Sequence, residues 1–583
     1  MTHTSALVPS TPPTTDPTAP ADASHPRLAR AVRARMPLAL DVAIEMAKLN
    51  GVCIRPVEMR RLDIVTGQEE TFDIPCGATQ EAKCLPCAKR NRYLRMAQCR
   101  EGWHLEAEPV TTPAPATEEQ QWLIEFRADV QAKRDHAERV GDVEEVADWD
   151  AAIREIDVEI NAAGMRGSVL GGRAAPRRSR STRRRQDAPD LPKRAMSPST
   201  LGRSFTGAGG TVYRPSMFIT LTLPSYGSIR SGQGVPVDPS TYDYRRAARD
   251  ALHFSKLVDR FVQNLRRVAG YDVQYFATVE PQKRLAPHLH MAIRGTLPRA
   301  EIKAIAAATY HQVWWPATEE IRFEGEHLPV WTPRADLPDG ESHLDGQDGD
   351  YLDPETGEIL PTWDEALDRL DADEDASPLH VLRFGDQVDA QGVLAGTPDA
   401  DQCIRYLSKY LTKSLGETLD TDDCARRDHA ARMVEALRYE PCSPMCANWL
   451  RYGVQPKGAK PGMMPGRCRS KAHKPEHLGY AGRRVLVSRK WSNKTLAEHK
   501  ADRRAWILDA LGLAEDPAQT DPHRYVWKPV STKDPTRTPL AKRLLRAVAD
   551  RQRTRARLLE LQARAEGQPV EEFSATPRLE VAA

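Results

Sequence analysis

The sequence predicts an α+β fold spread over several modules, and three observations carry that prediction. Short stretches in the middle of the chain alternate apolar and polar residues with the period of a strand. A long segment between them repeats its apolar residues with the period of a helix, and two groups of cysteines mark modules on either side. At 583 residues the chain exceeds what one hydrophobic core organises, so roughly three to four units are expected.

The strand evidence begins at FITLTLPS, which sets Ile219, Leu221 and Leu223 against Thr220 and Thr222. Next, VQYFATVE sets Val273, Tyr275, Ala277 and Val279 against Thr278 and Glu280. HLHMAIRG then sets His288 and His290 against Leu289, Met291 and Ile293. Only seven residues, PQKRLAP, separate the last two segments, which predicts an antiparallel hairpin with Glu280 beside His288. Two imidazoles and one carboxylate with open positions suit Mg²⁺ or Mn²⁺, and the open positions suit a phosphate whose oxygen the metal polarises. An HxH on a strand, taken alone, is more often two solvated or structural histidines than a metal site.

The helical evidence lies in YRRAARDALHFSKLVDRFVQNLRRVAG, whose Leu252, Leu257, Val258, Phe261, Val262, Leu265 and Val268 form one apolar stripe, a core face. Downstream, ADQCIRYLSKYLTKSLG reads as a short helix with Tyr406 and Tyr410 at i and i+4 and Lys409 and Lys413 paired beside them. A phenol ionises only near pH 10 unaided, so nearby cations would help it act as a nucleophile.

Modules follow from composition. Residues 1–35 are rich in Pro, Thr, Ser and Ala and are expected to be disordered. A cysteine module covers 38–108, a helical hairpin 117–163 with its turn at Gly141-Asp142, and a basic linker 164–210. From Arg173 to Arg194 that linker carries nine basic and two acidic residues. The strand and helix segments define a central domain at 211–416, in which the acidic stretch 333–378 is read as a surface insertion. Residues 417–530 form a Cys/His and basic region, and 535–583 a charged helix and tail.

Net charge is only +2, so a polyanion would meet local patches rather than the whole surface. The N-terminus lacks a secretory signal and no apolar run reaches bilayer length, which leads to the expectation of a cytoplasmic protein without membrane contact. In that compartment ten cysteines suggest metal or burial rather than disulfides. Cys76, Cys84, Cys87 and Cys99 are spaced for a structural Zn²⁺ site, with Cys53 and His104 as spare candidates. Cys442, Cys446, Cys468 and His473 form a second group, either a zinc site or packed thiols. Around it, Arg483, Arg484, Arg489, Lys490, Trp491 and Lys494 combine cations with an aromatic, a texture suited to phosphate contacts and base stacking.

In order, FITLTLPS, EPQKRLAPHLH and YLSKYLTK resemble the three motifs of HUH-type rolling-circle replication initiators. PCGATQEAKCLPCAKR, PHLHMAIRG and LGYAGRRVLVSRKWSNKTL bring the resemblance closer, to the RepSA-like initiators of actinobacterial plasmids and integrative elements, over most of the chain beyond residue 35. The resemblance implies a five-stranded antiparallel sheet flanked by helices, with the HxH on a central strand facing a tyrosine helix. It implies attack by a tyrosine on origin DNA, single-stranded at the nick, leaving a 5′-phosphotyrosine link and a free 3′-hydroxyl. Motif alignment puts the nucleophile at Tyr410. Relatives with one tyrosine carry a glutamate where this chain has Tyr406, so two alternating tyrosines are expected here. No GxxxxGK[ST] occurs, which implies a host helicase and polymerase as partners. The alternatives are a related transposase or relaxase, or a non-catalytic zinc-bearing DNA-binding regulator; the oligomeric state is left open.

Overall fold

The computed structural model describes residues 40–103, 105, 108–109, 115–165, 186, 188–210, 212–333, 349–409, 411, 422–481, 484–510, 524–532 and 534–565. The expected disordered tail, most of the basic linker, and Tyr410, Lys413, Arg483 and His104 lie outside the described residues.

The chain divides into two compact units, Met1–Pro75 with Ala518–Ala583, and Cys76–Pro517. That division cuts through the module expected at 38–108. Its first half joins the C-terminal segment, and its cysteine knuckle belongs to the larger unit. In the first unit Val57–Asp63 is the middle strand of an antiparallel sheet, flanked by Glu69–Ile74 and Tyr525–Pro529. Helices Leu40–Leu49 and Leu540–Ala565 close a small core through Ala43, Ala47, Leu544 and Val548. Arg543, buried at 4% exposure, pairs with the equally buried Glu58 at 3.2 Å, so neither charge lacks a partner.

The larger unit is organised by a five-stranded antiparallel sheet. Its strands are β1 (Pro215–Thr222), β2 (Tyr275–Pro281), β3 (Pro287–Arg294), β4 (Val388–Leu394) and β5 (Val485–Val487), in the order β4-β1-β3-β2-β5. The last strand comes from the segment that composition had set apart at 417–530, so the sheet closes across that expected boundary. Four helices position the rest: α1 (Leu85–Trp103), α2 (Tyr244–Ala269), α3 (Pro398–Lys409) and α4 (Cys424–Tyr439).

Each face of the sheet has its own core. Ile219, Leu221, Leu289 and Met291 bury one face against Leu257, Phe261 and Leu265 of α2. Asp243 caps α2 by accepting from the Arg246 N–H, and Gly270 ends it with φ 73°. Truncating the fully buried Phe261 to Ala should cost about 3–5 kcal/mol, read as a lowered unfolding midpoint in denaturant. The opposite face carries Phe276, Ala292 and Val393, covered by Ile404 and Leu407 of α3 and by Trp103 and Trp491. Gly102 has no room for a side chain, because a Cβ would lie 2.1 Å from the Trp491 ring.

The hairpin is as expected: Glu118–Val140 and Val143–Ala162 meet through Leu123, Val130, Ile153, Ile156 and Ile160. The acidic insertion departs from expectation. Residues 334–348 are outside the described residues, but Gly349–Leu352 pairs with Val330–Pro333, and helix Trp363–Ala372 buries Trp363 against Trp449. A tryptophan amid acids is enough to fold the second half inward, because its buried area outweighs the polarity of its neighbours.

Burial lowers His253 to about 3 and both His311 and His429 to about 4. All three are therefore neutral in the folded protein at pH 7, and below about 6.5 the unfolded chain binds protons that the folded chain does not. Stability should be intact above pH 6.5 and fall as the pH drops toward 4, measured as the thermal midpoint across that range.

Candidate metal and tyrosine site

The antiparallel register sets Glu280 opposite His288, and Thr220 and Thr222 opposite His290 and His288. Period-two alternation then turns Thr220, Glu280, His288 and His290 to the face that α3 covers. One ligand atom from each of Glu280, His288 and His290 lies within 4.8 Å of the others, and the two imidazole centroids are 4.3 Å apart.

The surroundings orient these groups. His290 Nδ1 lies 3.1 Å from the Thr220 hydroxyl, which leaves Nε2 turned inward, 3.3 Å from Glu280 Oε1. His288 Nδ1 lies 3.3 Å from the amide nitrogen of Gln282, whose carbonyl accepts from Arg284 Nε. Burial, then the neighbouring His290 and Arg284, lower His288 to about 4, so its ring is neutral and can offer a lone pair at neutral pH. Leu285, buried at the turn of the hairpin, holds φ 63°.

Glu280 Oε2 is buried and has no hydrogen-bond partner among the described residues. A carboxylate oxygen in that position is costly unless something positive meets it. Two imidazole nitrogens and one carboxylate fit a divalent cation, and this orphaned oxygen is the observation that favours one.

Among the described residues, Tyr406 is the phenol that reaches the site. Its Oη lies 3.3 Å from His290 Nε2, its ring stands edge-on to His290 at 4.7 Å, and it is 39% exposed. Ile404 and Leu407 bury the other side of α3 in the sheet, which fixes the helix rotation that aims Tyr406 inward. Lys409 is on the exposed side of the same helix. A cleft of about 700 Å³ adjoins the site, lined by Thr222, Arg230, Gln282, Lys283 and Gln387.

Phe218 was not singled out by sequence reasoning. It stacks on His290 at 5.9 Å and meets Tyr406 edge-on at 6.1 Å. Its signal was present, since it stands two residues before Thr220 on the same face of β1.

A family model described as "RepSA: Replication initiator protein, pSAM2" matches residues 39–550. The chain belongs to the RepSA family. A "Replication initiator protein" of Streptomyces ambofaciens is 27% identical over 297 residues, 40% of this chain and 52% of that relative, so the match spans about half the relative's length. No solved structure matches.

In this RepSA-family chain the sulfurs of Cys76, Cys84 and Cys87 lie within 4.8 Å of one another, with 3.8 Å between Cys76 and Cys87. Cys99 does not join them. It is 1% exposed in the core with Trp103, and its carbonyl accepts from the Trp491 indole at 3.2 Å. Three turns of α1 separate Cys87 from Cys99, and helical geometry sends the two thiols to different surroundings. A tetrahedral zinc takes four ligands, and these three thiols supply three of them. The purified protein should lose one zinc equivalent on Cys84→Ser and keep it on Cys99→Ser, measured by elemental analysis.

The second group is assembled as its spacing suggested: Cys442, Cys446, Cys468 and His473 bring ligand atoms within 4.8 Å of one another. His473 Nδ1 donates to the Leu437 carbonyl at 2.8 Å, and its Nε2 turns to Cys446 Sγ at 3.5 Å. Hydrogen bonds from Cys442 and Cys446 hold Cys468 well below the usual thiol range. Both groups have the donor chemistry of structural zinc.

The basic stretch fits its expected role less well. Trp491 is fully buried and cannot stack on a base. Lys494 pairs with Glu101 and Asp502, each at 2.8 Å, and Lys490 with Asp272 at 3.8 Å. Arg489 is exposed, while Arg484 donates from Nε to the Val279 carbonyl and so caps the sheet edge. No helix among the described residues is long and apolar enough to cross a membrane.

Proposed function

We propose that this RepSA-family protein initiates plasmid replication as an HUH-type nickase that cuts one strand of origin DNA and stays covalently attached to it. The observation that carries this reading is the phenol of Tyr406, 3.3 Å from His290 Nε2 beside a two-histidine, one-carboxylate group. Phenol, metal ligands and an open cleft together are the parts that phosphodiester transfer needs.

Glu280, His288 and His290 would hold Mg²⁺ or Mn²⁺, which when bound polarises a phosphate oxygen and offsets charge that develops in the transition state. The tyrosine oxygen forms a bond to phosphorus as the P–O3′ bond breaks. The phenolic proton is lost and the departing 3′-oxygen gains one, leaving a 5′-phosphotyrosine and a 3′-hydroxyl for a host polymerase. Thr220 holds the His290 tautomer, and Phe218 packs His290 and Tyr406 in place. Tyr410, four residues after Tyr406 in the sequence, would supply the second phenol for strand transfer, with Lys409 and Lys413 as the cations that would favour the ionised forms. Unwinding falls to a host helicase.

Incubation with Mn²⁺ and a labelled single-stranded origin oligonucleotide should give an adduct that survives a denaturing gel. Absence of any adduct across the candidate origin sequences of the parent element would overturn the reading. Glu280→Ala should lower adduct yield about 100-fold, because a charged ligand supports several kcal/mol of transition-state stabilisation.

A further inference from the structure

A second pocket lies between α1 and the strand edge formed by β5. It encloses about 200 Å³ and is lined by Arg92 and Arg95 of α1, Arg484 just before β5, Leu411, His477 and Glu476, with smaller polar neighbours. Three guanidinium groups share it with one carboxylate, and that carboxylate already lies 3.6 Å from Lys83.

Arg92 and Arg95 are poorly compensated. Arg92 Nε is buried without a hydrogen-bond partner among the described residues. Arg95 donates to the neutral side chain of Gln98, and burial lowers its pKa. Converging cations that leave water without an anion to meet them are unfavourable, and planar guanidinium groups match the oxygens of a phosphate in pairs. The volume falls below the roughly 300–1,000 Å³ of pockets that take whole small molecules, which suits a phosphate group better than a base. Leu411 on the rim follows Tyr410 directly, so the pocket adjoins the end of the tyrosine segment.

We infer that Arg92, Arg95 and Arg484 bind a backbone phosphate of the DNA strand that passes the tyrosine helix, making the cysteine-bearing helix α1 a DNA-contacting element. The assignment of the phosphate to DNA rests on the proposed nicking function, whereas the anion site itself rests on the pocket alone. None of the spacing around Arg92 and Arg95 marks them in the sequence as a pair of ligands. Their cooperation with Arg484, almost 400 residues away, exists only in the folded unit.

The full-length protein and its Arg92→Gln/Arg95→Gln variant would be titrated with a fluorescent single-stranded origin oligonucleotide at several salt concentrations. Equal zinc content and equal thermal midpoints would be required first; if they differ, Arg92→Lys/Arg95→Lys, which keeps the charge, serves as the variant and should bind with intermediate affinity. The Gln variant is expected to bind at least 10-fold more weakly at 0.15 M salt, with a slope of log K against log salt shallower by about 1 to 1.5. Unchanged affinity and slope would overturn the DNA assignment, and the absence of any phosphate-induced rise in the wild-type midpoint as well would overturn the site. Inorganic phosphate is the second probe: if millimolar phosphate raises the wild-type midpoint but the variant binds DNA normally, the source is a free phosphate and the DNA assignment is wrong. Adduct formation by the wild-type protein is scored separately, so failure to nick and failure of this pocket give different results.

Discussion

Tyr406→Phe should remove the covalent protein–DNA adduct, a loss on the order of 10⁴-fold or more, as expected when the group that forms the covalent bond is deleted. The substitution takes away one oxygen and keeps the ring that packs on Phe218 and His290, so stability should change little. DNA affinity should persist, which separates loss of chemistry from loss of binding. Tyr410→Phe has a different expected outcome: the first adduct forms, while transfer of the strand to a second phenol fails, measured with a two-oligonucleotide joining assay. Motif alignment favours Tyr410 as the first nucleophile, whereas the 3.3 Å contact with His290 Nε2 favours Tyr406. Full adduct from Tyr406→Phe together with none from Tyr410→Phe would return the first role to Tyr410.

The second large effect is structural. Cys446 is fully buried against Trp363 and Trp449, beside Cys442, Cys468 and His473. Structural zinc contributes roughly 10–16 kcal/mol of apparent binding free energy at pH 7, so loss of one thiolate should remove a large part of the stability of this region. Cys446→Ser should release one zinc equivalent and lower the thermal midpoint by on the order of 10 °C, taking the usual relation between stability and midpoint for large domains. A chelator should lower the wild-type midpoint by more than it lowers that of the variant, which has only the other group's zinc to lose. If the four side chains are packed thiols and a histidine without metal, zinc content will not change and the destabilisation will be only about 1–3 kcal/mol.

Much of the metal and tyrosine site was legible because it is built from local periods. Alternation alone put His288 and His290 on one face, and a seven-residue connection put Glu280 opposite His288. The helical period put Tyr406 on a helix face, while Tyr410 lies outside the described residues. Spacing also grouped Cys442, Cys446, Cys468 and His473, since each pair sits on a short local turn even though a long loop divides them. Local chemistry failed where a choice depended on packing. Cys99 matches a zinc spacing, but its position on α1 carries it into the core beside Trp491. Trp491 sits among cations in the sequence and yet fills the space that Gly102 leaves open. The acidic stretch looked like a loop because its few apolar residues are outnumbered, and Trp363 still found a tryptophan partner in Trp449.

The sequence by itself determined which side chains share a strand face, a helix face or a turn, because those relations follow from the fixed geometry of the backbone over a few residues. Only the tertiary structure decided that β5 completes the sheet from beyond the tyrosine helix, that Tyr406 is the phenol beside His290, and that Arg92, Arg95 and Arg484 share one pocket. Those relations join residues dozens to hundreds of positions apart. They are set by which apolar faces bury one another, a property of the whole chain that no local period encodes.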